Sequence, residues 1–173
     1  MLVDLSDVLT TEGKVWETEV FIGLESFSAK AGTFPITEKS PFRLRVSNLE
    51  AGKVRMIGDA RLVLKTECDR CLTDVLTEVK ISVDRIAVSP DVESEEEEDR
   101  QFMEDYQLDV DALVQSEMIV NWPFKILCKE DCKGICPKCG QNLNMGMCGC
   151  DTFVPDPRMA VLKDIFESNK EVE

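Results

Sequence analysis

From Phe42 the chain alternates with a period of two, with Phe42, Leu44 and Val46 on one side and Arg43 and Arg45 on the other. "NLEAGK" breaks the run as a turn, and "VRMIGDARLVLKTE" resumes it, with a bulge expected at Gly58-Asp59. After "CDRC" the alternation returns in "VLTEVKISVDRIAV", where Val75, Val79, Ile81 and Val83 share a side. The pattern therefore predicts a long antiparallel hairpin with Cys68 and Cys71 at its tip. Upstream it predicts a helical turn near Asp7–Leu9 and a strand in "KVWETEVFIG". "GLESFSAKAGTFPITEKSP", punctuated by Gly, Ser and Pro, reads as irregular.

Downstream the period changes. In "LDVDALVQSEMIVNWP", Val110, Leu113, Val114 and Met118 form a helical stripe, Asp109 can cap its start, and Pro123 ends it. "DPRMAVLKDIFE" predicts a second helix, with Asp156 as cap and Pro157 at the first helical position. The expected fold class is α+β: an antiparallel β-rich amino-terminal part with long hairpins, then a helix, a cysteine-rich zinc-knuckle segment and a carboxy-terminal helix. Residues 1–89 form the β-rich region and 90–105 an acidic flexible loop. Residues 106–173 carry the helices and the cysteines, packed with the β region as one domain.

Charge sharpens this picture. The chain has a net charge of −14, yet Asp91 to Asp111 alone holds 11 acids against one base. The acidity is a local tract, "DVESEEEED", too polar to order itself. Lys39 to Arg70 is the reverse, with eight bases and four acids. Arg43, Arg45, Lys53, Arg55, Arg61 and Lys65 can line one sheet face and track phosphates; the alternative is the solvated face of an ordinary antiparallel sheet. The acidic tract in turn can receive a basic protein.

At 173 residues and 43% apolar content the chain can bury a core without cross-links, so its eight cysteines need another explanation. No apolar run approaches the ~20 residues of a membrane span. The first residues, "MLVDLSDVLTTEGK", lack the basic start and long apolar stretch of a signal peptide, so a soluble, cytoplasmic protein is expected. Reducing cytosol disfavours disulfides, and paired cysteine spacings there point to metal. With no histidine, any zinc site must be all-cysteine, and the commonest general base is missing.

"CPKCG" suits a metal knuckle: Pro137 fixes one dihedral, and Gly140 tolerates the positive φ that turns backbone N–H groups toward sulfur. Cys136 and Cys139 need a second pair, and Cys148 with Cys150 is nearest along the chain. These four are taken as one zinc site. Cys68, Cys71, Cys128 and Cys132 remain as ligands for a second; one site with unused thiols is the competing arrangement. Lys129, Lys133 and Lys138 can offset the −2 formal charge of a zinc ion held by four thiolates. Met145 and Met147 can pack around this loop, and Asn142 and Asn144 can bond its backbone. Iron–sulfur ligation and thiol exchange are the alternatives. Nothing supplies a three-ligand zinc with a nearby base, so neither an enzyme nor a small-molecule substrate is expected. A transcriptional zinc ribbon lacks a basic recognition helix.

"CDRCL" at a hairpin tip, the acidic stretch, "LDVDALVQSEMIVNWPFKILC", "CKGICPKCGQNLN…CGCD" and "DPRMAVLKDIF" together resemble the cysteine-rich form of the YceD family, from about Glu67 to Phe166. The family comprises bacterial and plastid proteins implicated in accumulation of large-subunit ribosomal RNA. The resemblance implies a zinc-binding ribosome-biogenesis factor, with large-subunit rRNA, a pre-ribosomal particle or a basic ribosomal protein as partner.

Overall fold

The computed structural model describes residues 1–30, 32–50, 52–89, 91–92 and 101–150. The chain divides into two compact units, Met1–Cys128 and Lys129–Glu173. In the first, the order is β1 (Leu2–Asp4), α1 (Ser6–Thr10), β2 (Val15–Val20), β3 (Ser26–Ala29), β4 (Gly32–Lys39), β5 (Phe42–Glu50), β6 (Lys53–Glu67), β7 (Asp74–Val88), β8 (Met103–Glu104), β9 (Gln107–Asp109) and α2 (Val110–Val120). The class is α+β, with two helices among the described residues beside mostly antiparallel sheet.

The spine is β6. It pairs with β7 along its full length, from Lys53↔Val88 to Glu67↔Asp74. Its other edge is shared by β5 over the first part and β4 over the second, with β2 outside β5 and β3 outside β4. Strands this long hold their register because a one-residue slip would turn the buried face to water. On that face Phe42, Leu44, Val46, Val54, Met56, Leu62, Leu64, Val79, Ile81 and Val83 are buried. Leu5, Val8 and Leu9 around α1, and Val110, Leu113, Val114 and Met118 on α2, belong to the same core. The α2 cap is Asp109, whose Oδ1 accepts from the N–H groups of Asp111 (3.0 Å) and Ala112 (3.2 Å).

Three expectations change. The stretch expected to be irregular forms the β3–β4 hairpin, with Ser26↔Pro35 to Ala29↔Gly32 in register. Alternation in "TFPITEK" is present, and Pro35 lies in β4 just before that strand takes up its pairing with β6 at Ile36, so its missing N–H breaks no bond of that ladder. Nor is there a bulge at Gly58-Asp59: both residues stay in register with β5 and β7, and the irregularities fall between Asn48/Glu50 and Ile36/Glu38. Gly58 is required instead by packing, since a Cβ there would lie 2.7 Å from the Phe42 ring and 2.8 Å from the Arg43 carbonyl oxygen. Third, the carboxyl-terminal part of the expected 90–105 loop is structured. Met103–Glu104 pairs with β9 through Met103↔Leu108, anchored by buried Phe102 and Leu108. The acidic run 93–100 and the helix expected after Asp156 lie outside the described residues.

Candidate metal centres

The β6–β7 hairpin turns over residues 68–73, and its tip is a knuckle. The Cys68 N–H donates to the Thr73 carbonyl and the Leu72 N–H to the Cys68 carbonyl, both at 2.9 Å. Leu72 takes φ 58°, a left-handed conformation that closes the turn. Asp69 ties the tip to the segment before Cys128: its N–H donates to the Ile126 carbonyl (2.9 Å) and its Oδ2 accepts from the Ile126 N–H (2.6 Å). That reciprocal pair carries Cys128 to the tip, and the Cys71 and Cys128 sulfurs lie 3.5 Å apart.

The sulfurs of Cys68, Cys71, Cys128 and Cys132 all lie within 4.8 Å of one another. So do those of Cys136, Cys139, Cys148 and Cys150. A tetrahedral ion with zinc–sulfur bonds near 2.3 Å sets its ligands about 3.8 Å apart, so both groups match the size of a four-cysteine site.

Within residues 129–150, "CPKCG" folds back on itself. The Gly140 N–H donates to the Cys136 carbonyl at 2.9 Å, with Gly140 at φ 74°. Ile135 and Asn142 form an isolated antiparallel bridge, and the Cys136 N–H donates to the Gln141 carbonyl at 2.8 Å. Asn144 reaches further than its own backbone: its Nδ2 donates to the Cys132 sulfur (3.3 Å) while its Oδ1 accepts from the Lys133 N–H (2.9 Å). Met145 and Met147, expected around the loop, are exposed instead.

The electrostatics of the two groups favour a cation. Burial opposes ionisation of Cys68, but N–H groups of Arg70, Cys128 and Cys71 aimed at its sulfur outweigh that and bring its pKa down to about 6. The N–H groups of Cys139 and Lys138 do the same for Cys136, also to about 6. Cys71 is lowered chiefly by the Thr73 hydroxyl, 3.2 Å from its sulfur. Cys150 moves the other way, up to about 12, because Cys139 and Cys148 crowd it with hydrogen bonds and negative charge. In the second group Cys136 is thus driven toward thiolate while Cys150 resists a further negative charge. A dication at the centre relieves that conflict, so the donor set fits zinc chemically.

Thr73, Asp69 and Asn144 escape sequence reasoning as supporting residues. The first two flank the knuckle as ordinary turn residues, and Asn144 acts through a sulfur 12 positions away.

The six cations considered for phosphate binding all sit on the exposed side of β5 and β6, and each faces a carboxylate. Arg43 lies 3.4 Å from Glu19, Arg45 3.3 Å from Glu17, and Lys53 2.8 Å from Glu50. Arg55 grips Asp84 with two bonds of 2.8 and 2.6 Å. Arg61 reaches Glu78 at 2.8 Å and Glu38 at 3.4 Å, and Lys65 reaches Asp74 at 2.7 Å.

Against known proteins, the family model described as "Large ribosomal RNA subunit accumulation protein YceD" matches residues 56–166. The chain belongs to the YceD family. Uncharacterized proteins of Mycobacterium bovis and Mycobacterium tuberculosis are 27% identical over 149 residues, covering 81% of this chain and 69% of theirs. One from Mycobacterium leprae is 27% identical over 103 residues, covering 58% of this chain and 47% of its own. No solved structure matches. The YceD match takes in both cysteine groups and most of the β6–β7 hairpin. Among the described residues, no helix is long and apolar enough to cross a membrane.

Proposed function

We propose that this YceD protein is a non-enzymatic zinc-binding factor of large-subunit biogenesis, acting in the cytoplasm to support accumulation or processing of large-subunit rRNA. The observation that carries this is the family match over a segment whose eight thiols stand in two groups of ion-binding size. Cys136, Cys139, Cys148 and Cys150 hold one ion, and Cys68, Cys71, Cys128 and Cys132 a second. Zinc supplies a redox-inert tetrahedral fastening there. The chain's own residues do the rest: Asp69 and Thr73 shape the knuckle and Asn144 orients Cys132. Contact with the pre-ribosomal particle is through rRNA, a ribosomal protein, or both.

A second reading, protein contact without direct RNA contact, is favoured by the carboxylate facing every cation of the candidate phosphate-binding face. Depleting the protein and quantifying the two ribosomal RNAs tests the main reading: a selective fall in large-subunit rRNA and co-sedimentation with its precursor particles are expected. Unchanged rRNA ratios with no co-sedimentation would sink it. Ribonuclease treatment of the isolated complex separates the two modes, since a protein-held complex survives it.

A further inference from the structure

One surface of the Met1–Cys128 unit adjoins the Cys68 knuckle and the end of the charged sheet face and is apolar at its centre. Between the β3–β4 hairpin, the knuckle and the segment after α2 lies a groove of about 840 Å³, a size suited to gripping a few side chains. Its apolar walls are Phe34, Leu72, Ile119, Trp122 and Phe124. Trp122 stacks on Phe34 with ring centroids 5.1 Å apart and is backed by buried Phe27 at 5.0 Å, so the indole is held rigidly. The other walls face water: Leu72 is 60% exposed, Ile119 61%, and Phe124 fully. Leu72 is moreover held at φ 58°, an unfavourable conformation for a branched side chain, while projecting outward. Such a cluster is the composition of an interaction surface.

The rim identifies the occupant. Its carboxylates are Glu67, Asp69 and Asp74 against the single cation Lys65, beside the Cys68 thiol. Lys65 is engaged by Asp74 at 2.7 Å, and Glu67 makes no ion pair among the described residues. An apolar floor inside a net-negative rim repels a phosphate backbone and attracts cations.

We propose that this groove docks a segment of another protein in which aliphatic or aromatic anchors are flanked by lysine and arginine. The anchors pack on Trp122 and Phe124, and the flanking cations meet Glu67 and Asp69. Asp69 and Leu72 belong to the Cys68–Cys71 knuckle, so metal content is measured alongside binding and a failure of one is distinguished from a failure of the other.

The test uses the full chain with its metal content intact and four dye-labelled probes, followed by fluorescence anisotropy. The probes are a lysine- and arginine-flanked peptide with leucine and phenylalanine anchors, the same peptide with serine anchors, the same anchors flanked by glutamate, and oligouridine. Saturable binding of the first alone is expected. Phe124→Ser and Glu67→Lys should each weaken it about tenfold, with unchanged circular dichroism because both side chains face water. Glu67→Lys should also flatten the salt dependence. The proposal is overturned if the first probe does not bind, or if the serine or glutamate peptide binds equally well. Tighter binding of oligouridine would assign the groove to RNA, and insensitivity to both substitutions would place the contact elsewhere.

Discussion

Gly58→Ala is the sharpest test of how the sheet is packed. The added methyl carbon would sit 2.7 Å from Cε2 and Cζ of Phe42 and 2.8 Å from the Arg43 carbonyl oxygen. Neither neighbour yields easily. Phe42 is completely buried, and Arg43 lies in the β5–β6 ladder opposite Asp59. Overpacking of this kind costs about 1–3 kcal/mol, and contact with backbone argues for the upper part. Against that, alanine regains about 0.5–1 kcal/mol of the entropy that glycine loses in a strand. The net expectation is a loss of about 2 kcal/mol. For a unit of this size that lowers Tm by about 8 °C, at about 4 °C per kcal/mol. Urea unfolding followed by circular dichroism in excess zinc measures it. Adding Phe42→Leu to Gly58→Ala should cost less than the two changes separately, with a coupling above about 0.5 kcal/mol. A Gly58→Ala protein as stable as the parent, or additive double-mutant costs, would refute the packing role and reinstate a purely conformational one.

Three further outcomes follow from the same structure. With both thiol groups holding zinc, Cys136→Ser and Cys68→Ser should each reduce the metal content from two ions per chain to one by elemental analysis; loss of both from either change would mean the groups are not independent. In the folded chain Cys68 and Cys136 ionise near 6, below the ordinary thiol range. Their stabilising contribution is therefore complete above that range and lost as pH falls through about 6, and metal release to a colorimetric chelator should rise on acidification, not on moving to alkaline pH. Finally, Glu117 is buried and its Oε1 lies 3.0 Å from both Nε and Nη2 of Arg85, whose side chain reaches solvent. Arg85→Ala should cost about 3 kcal/mol by stranding the buried carboxylate, against about 1 kcal/mol for Glu117→Gln, which leaves a cation free to hydrate; equal costs in urea unfolding would contradict this.

Period-two alternation carried most of the fold, because β5, β6 and β7 each bury one face and tolerate no slip. The β3–β4 hairpin was obscured by Gly32 and Pro35, which normally mark a break and here fall in the part of β4 that precedes its pairing with β6. Gly58 was visible as an anomaly within a strand, but its cause, the Phe42 ring, comes from another strand. The tip position of Cys68 and Cys71 was legible as an interruption between alternating runs. The grouping of Cys136, Cys139, Cys148 and Cys150 could be read from spacing, but the approach of Cys128 to Cys71 depends on the bonds between Asp69 and Ile126, 57 residues apart, and no spacing rule encodes those. The same limit applies to charge. Arg55 and Asp84 are 29 residues apart in sequence and directly opposed in space. A basic stretch along the chain is thus not a basic surface.

That distinction decides how RNA contact should behave. The six cations on β5 and β6 face seven carboxylates: Glu17, Glu19, Glu38, Glu50, Asp74, Glu78 and Asp84. Each exposed pair is worth only about 0–1 kcal/mol, so phosphate can open a pair at little cost. The carboxylate that remains still repels the phosphate, and opening a pair does not remove it. Changing Glu17 and Glu19 to Gln and Asp84 to Asn should therefore raise the low-salt affinity for a short RNA, with a log–log salt slope steeper by about 0.7–0.9 for each phosphate newly engaged. Filter binding across a salt series reads both quantities. Steep, tight binding by the unmodified chain, abolished by Arg43→Glu with Arg45→Glu, would show that the carboxylates do not mask this face. It would make the sheet itself the rRNA-binding surface.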